Sequence, residues 1–224
     1  MAKPTVTELH HSGKYALVES FNVDEMGKFL AREAGLPDIN DSQSLKFQSR
    51  SVKFWVLILA SIIIGGYAGY YISDTGHATA TFQVTSVIKK AFLSIPFLLL
   101  IVLPIHEGIH ALFFRLIGAK EVGFGYSLKS VMVYAYAHRF VMTLKENALV
   151  AIMPFAIITP LLACMVVLFP EWAVFWLFTL LFHTFGSLGD FIMVRYFLRR
   201  RHQPFFTYDD IIQKRSYFFT KIRN

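Results

Sequence analysis

From residue 54 onward, long apolar runs alternate with short polar intervals. Four runs approach the roughly 20 residues that a helix needs to cross a bilayer. They lie at about Phe54–Ile72, Ala91–Ile117, Asn147–Phe169 and Trp172–Leu198. The expected fold class is an all-α integral membrane protein with about four transmembrane helices. Trp55 sits at the interface end of the first run, and Gly65 and Gly69 form a G-x-x-x-G that lets a second helix approach closely. Pro154 and Pro160 predict kinks in the third. Only Pro170 and Glu171 separate the third run from the fourth, so those two helices are expected to be antiparallel neighbours.

The polar intervals carry patterns of their own. In residues 1–53, Asn22 is placed to cap a helix, with Glu25 three positions on. Val23, Met26, Phe29 and Leu30 share one face of that helix, and Gly35 and Pro37 end it. An amphipathic helix lying on the membrane or the core is expected. Between the second and third runs, Val122, Phe124, Tyr126 and Leu128 alternate with Gly123, Gly125 and Ser127. Val131, Val133 and Ala135 alternate again after Lys129 and Ser130. This period of two predicts a small β-hairpin within residues 118–146. Thr143 with Glu146 is a capping box opening the third run. The expected organisation is a cytosolic segment 1–53, a membrane-embedded domain 54–198 and a basic cytosolic tail 199–224.

Composition supports a membrane class. The chain has 224 residues, 55% of them hydrophobic and only 17% charged. A net charge of +7 is compatible with nucleic acid, but the cations flank the apolar runs, which fits a lipid surface instead. Lys46, Arg50 and Lys53 precede the first run, Lys120, Lys129, Arg139 and Lys145 follow the second, and Arg199, Arg200 and Arg201 follow the fourth. Lys/Arg asymmetry therefore predicts an integral protein of the plasma (inner) membrane with both termini cytosolic. Lys89 and Lys90 fall on the outer side and are outnumbered. One cysteine, Cys164, excludes an intramolecular disulfide and a cysteine-rich metal site. The polar start MAKPTVTELHH predicts no cleavable signal peptide.

Chemistry concentrates in the second run, in PIHEGIHALFF. His106-Glu107-Gly108-Ile109-His110 is H-E-x-x-H, which on a helix puts two imidazoles on one face, about one turn apart. Two nitrogen donors so placed suit Zn²⁺, and Glu107 beside them can take a proton from water. Ionisable groups inside an apolar run are costly unless metal binding or hydrogen bonds compensate. Catalytic zinc commonly has three protein ligands. Asp190, the only acidic residue inside the fourth run, is the candidate third. Arg115 lies five residues after His110 and Arg195 five after Asp190, which places both at a similar depth. Gly186 and Gly189 let that helix approach or bend. A salt bridge from Asp190 to Arg195 or Arg115 is the structural alternative. His183, seven residues before Asp190, is about 10 Å higher on a straight helix, which suits a supporting or cavity-lining group, or a ligand if the glycines break the helix. His138 reads as a surface histidine, and His77 and His202 have no supporting context.

These residues resemble the DUF3267 zincin-type peptidases, related in plan to intramembrane metalloproteases of the site-2 type. The resemblance covers roughly residues 91–195, through HEGIH, the G-x-x-G-D aspartate of GSLGD, and the strand-like segment between them. It implies His106, His110 and Asp190 as metal ligands and Glu107 as general base. The better-studied site-2 proteases carry their aspartate in an N-P-D-G-like context, whereas here it is S-L-G-D-F.

The function these features predict is a membrane-embedded, zinc-dependent peptidase acting on a membrane-protein or membrane-proximal peptide, with no nucleic-acid partner. Two non-catalytic alternatives use the same side chains: a proton or metal pathway, or a metal-binding pseudoenzyme scaffold. Four spans without an inverted repeat are few for a transporter.

Overall fold

Two strands from opposite ends of the chain pair along their whole length in the computed structural model, which describes residues 3–35, 80–127 and 132–222. Met1–Leu36 and Lys90–Asn224 together form one compact unit. The short helix α1 (Val6–His11) opens on a capping box, Thr5 with Glu8. Strand β1 (Tyr15–Asn22) follows, and the Asn22 side chain accepts from the Asp24 N–H to open a single 3₁₀ turn. Helix α2 (Met26–Ala34) then ends at Gly35, whose φ of +80° favours glycine.

Helix α3 (Ala80–Phe97) runs through a π turn, Leu98–Val102, into α4 (Leu103–Leu116). In that turn the Leu103 N–H reaches back to the Leu98 carbonyl. The next residue is Pro104, which has no N–H to give, and the π register absorbs this gap just before the HEGIH turn. Strands β2 (Val122–Ser127) and β3 (Met132–Ala137) form the hairpin, antiparallel from Val122↔Ala137 to Ser127↔Met132. Gly123 and Gly125 face Tyr136 and Tyr134 across it. A Cβ on either glycine would fall 2.6–2.7 Å from the opposing tyrosine ring. The phenol ends of the two tyrosines thus occupy the space over the glycine positions.

The two-residue strand β4 (Met142–Thr143) leads into α5 (Leu144–Leu168), where Thr143 and Glu146 form both bonds of a capping box. Helices α6 (Ala173–Gly186) and α7 (Leu188–Arg200) follow, then strands β5 (Phe205–Asp210) and β6 (Arg215–Lys221). The four-stranded sheet has the order β1-β6-β5-β4, antiparallel throughout.

The all-α fold with four spans is therefore corrected. Among the described residues there are two antiparallel sheets, and two helical stretches are long and apolar enough to cross a membrane: Thr85–Leu116 and Leu144–Leu168. The run at Trp172–Leu198 is not one straight helix. It breaks between α6 and α7, which are bent by 44° and make a third span only if counted together. The break falls at Ser187, between two glycines, where both the N–H and the hydroxyl of Ser187 donate to the His183 carbonyl. The first run, Phe54–Ile72, lies outside the described residues. The strand at residues 15–22 goes unrecognised because its partner is nearly 200 positions away, and the hairpin of β5 and β6 because its aromatic residues are not read as strands. Arg199–Arg201 also gives residues 199–224 the look of a tail, although PFFTYDD and RSYFFTK are rich in strand-favouring aromatics.

Aromatic packing joins the sheet to the helices. Phe21, Phe29, Tyr196 and Phe218, from β1, α2, α7 and β6, form one buried cluster. Phe29 stacks on Phe21 at 4.4 Å and meets Tyr196 at 5.5 Å between ring centroids. Truncating such a ring to alanine typically costs about 3–5 kcal/mol. This cluster holds α7, and with it Asp190, against the sheet.

Candidate metal centre

The site assembles from three helices and one strand edge. On α4, His106 and His110 stand one turn apart and, like Glu107, are buried. Asp190 occupies the first turn of α7, where the break after α6 starts a new helix and turns the carboxylate toward α4. His106 Nε2 lies 3.2 Å from Asp190 Oδ2 and 3.2 Å from His110 Nε2, and His110 Nε2 lies 3.4 Å from Asp190 Oδ1. One ligand atom from each of the three residues falls within 4.8 Å of the others, near enough to hold a single ion.

Supporting contacts fix the orientation of each group. The Val150 carbonyl of α5 lies 3.0 Å from His110 Nδ1. A carbonyl only accepts, so Nδ1 carries the hydrogen and Nε2 offers its lone pair to the centre. The donor set of two imidazole nitrogens and a carboxylate suits zinc. Glu107 points to the hairpin, where its Oε2 accepts the Ala135 N–H at 2.7 Å.

A cavity of about 310 Å³ opens on these side chains. Val133, Tyr134 and Ala135 of β3 line one side, and Met26 and Leu30 of α2 line another. A Cβ placed on Gly189 would touch Leu30 Cδ1 at 3.5 Å, so Leu30 reaches the residue next to Asp190. The sheet contributes Asp209 and Phe218. The Ser127 hydroxyl donates to Asp24 at 2.7 Å and ties the end of β2 to the turn before α2.

The structure thus brings together His106, Glu107, His110 and Asp190. The helix does break at the glycines, but His183 is not among the grouped ligand atoms: its Nε2 is 3.2 Å from His106 Nδ1, on the side of the ring away from Asp190. His138 is half-buried, and its Nδ1 accepts the Ile211 N–H at 3.2 Å. His202 is exposed beside Arg201, and His77 lies outside the described residues. Sequence reasoning missed the cavity walls from α2 and from β5 and β6. The apolar face of α2 was the available signal for the first, and the aromatic residues of PFFTYDD and RSYFFTK for the second.

No curated protein and no solved structure matches this chain. Residues 99–204, which contain the HEGIH turn, His183 and Asp190, match the model of the DUF3267 family, putative zincin peptidase, the same family that these motifs resemble.

Proposed function

We propose that this protein is a membrane-embedded zinc metallopeptidase that cuts peptide bonds in or near the bilayer. The observation that carries the reading is the grouping of His106, His110 and Asp190 within reach of one ion, with Glu107 beside them and a cavity opening on all four. Zinc bound there would acidify a water molecule and polarise the scissile carbonyl. Glu107 accepts the water proton and delivers it to the leaving amine nitrogen. Its Oε2 is engaged by the Ala135 N–H, which leaves Oε1 for the proton. Asp190 and the two histidines would hold the ion, and the Val150 carbonyl keeps His110 in the tautomer that ligation needs.

The β3 edge supports a mode of substrate entry. The Ala135 N–H points away from β2 and into the cavity, and Val133 lies on the same side of the strand. An unwound substrate segment added to this edge lies across Glu107. A transmembrane helix must unwind first, since its carbonyls are otherwise bonded internally. The membrane setting rests on the two apolar helices long enough to span.

The test is to compare wild type with Glu107→Gln, purified in detergent, for zinc per chain and for cleavage of membrane-derived peptides. The expected outcome is zinc retained and cleavage reduced by at least about 10²-fold, the scale of a lost general base. Cleavage unchanged in Glu107→Gln would remove the assigned base. Zinc flux in proteoliposomes, with no cleavage by wild type, would favour a metal pathway instead.

A further inference from the structure

Among the described residues, His183 is the one histidine against the metal centre that the ligand set leaves unused. It is 4% exposed, and Phe155 lies parallel to its ring at a centroid distance of 6.1 Å. Its Nε2 sits 3.2 Å from His106 Nδ1, and its Nδ1 is buried with no hydrogen-bond partner among the described residues.

Two neutral arrangements satisfy the contact between the rings. In one, His106 Nδ1 carries the hydrogen and donates to His183 Nε2. The His106 Nε2 lone pair then faces His110 and Asp190, as an ion requires. In the other, His183 Nε2 donates to His106 Nδ1. The His106 hydrogen then sits on Nε2, where it donates to Asp190 Oδ2 at 3.2 Å and fills the place of the ion. The two ligand histidines therefore differ. A backbone carbonyl, which cannot donate, fixes the tautomer of His110, whereas a side chain able to do either sets that of His106.

We propose that His183 is a positioning residue that selects the ligating tautomer of His106 by offering its Nε2 lone pair to His106 Nδ1–H. This rests on the metal-centre reading above. Partners in this position typically change metal affinity 10–100-fold when removed. What matters at residue 183 is an acceptor: leucine fills the space without one, and glutamine restores one through its amide oxygen.

The experiment measures zinc affinity of the full-length protein by chelator competition, in wild type, His183→Leu and His183→Gln. Affinity is expected to fall by about 10–100-fold in His183→Leu and to recover most of that loss in His183→Gln. Wild-type affinity in His183→Leu, or a loss in His183→Gln as deep as in His183→Leu, would overturn the proposal. A second measurement needs no variant. In zinc-loaded wild type labelled with ¹⁵N-histidine, His106 is expected to show its hydrogen on Nδ1, and ligation through Nδ1 would also overturn it. If wild type binds no zinc, the metal-centre reading fails as well. If wild type binds zinc and His183→Leu matches it, only the role of His183 fails.

Discussion

Asp209 illustrates how a single side chain reports on its surroundings. It lies on β5, lines the cavity and accepts the Ser216 hydroxyl at 2.6 Å. Desolvation between the strands raises its carboxyl above the ordinary carboxylate range, more than the Ser216 bond lowers it. The folded state thus holds this proton more tightly than the unfolded state. The corresponding stability is full below the ordinary carboxylate range and is lost as pH rises through the raised folded value. Asp209→Asn keeps an acceptor for Ser216 and removes the ionisation. Its thermal midpoint is expected to exceed that of wild type at neutral pH and to match it in acid; a lower midpoint at neutral pH would contradict this.

At the same scale, the chain itself revealed His106, Glu107, His110 and Asp190, because ionisable groups stand out in apolar runs and their spacing fixes their helix face. The partners that orient them did not stand out. The Val150 carbonyl and the Ala135 N–H belong to apolar residues whose backbone acquires a role only through tertiary packing.

Among the elements, α2 and the α6–α7 bend decide the shape of the cavity. Sequence periodicity places Val23, Met26, Phe29 and Leu30 on one face. The structure divides that face: Phe29 is buried in the aromatic cluster, while Met26 and Leu30 line the cavity. No local pattern separates those two uses, because both need an apolar side chain. The bend has a local signal in Gly186 and Gly189, and at it the Ser187 hydroxyl bonds back to the His183 carbonyl, a contact that residue order alone does not reveal. Met26 and Leu30 lie outside the matched residues 99–204, so this wall is not part of the matched segment. Leu30→Trp fills the space next to Asp190. It is expected to lower kcat/KM for peptides with large apolar residues about tenfold, on the scale of a misfitted apolar pocket, and to spare those with alanine or glycine. Cleavage-site profiling by mass spectrometry checks this, and an unchanged profile would show that α2 does not contact substrate.

Over the whole molecule, the two ends of the chain meet. Strand β1 pairs with β6 from Tyr15↔Lys221 to Asn22↔Arg215, and α2 rests on α7 through Phe29 and Tyr196. Residues far apart in the chain therefore line a cavity whose metal-ligand candidates lie on α4 and α7. Hydropathy alone emphasises the apolar helices and overlooks this closure, since sheet pairing between distant segments leaves no local periodicity beyond short aromatic alternations.

The central claim is that α4 and α7 hold one metal ion between them. Zinc per chain, measured by elemental analysis on purified wild type, His110→Ala and Asp190→Ala, tests it most directly. The account predicts about one zinc per chain in wild type and loss of most of it in either variant, with secondary structure unchanged, as expected for removal of one of three ligands. A full complement of zinc in folded Asp190→Ala would contradict it.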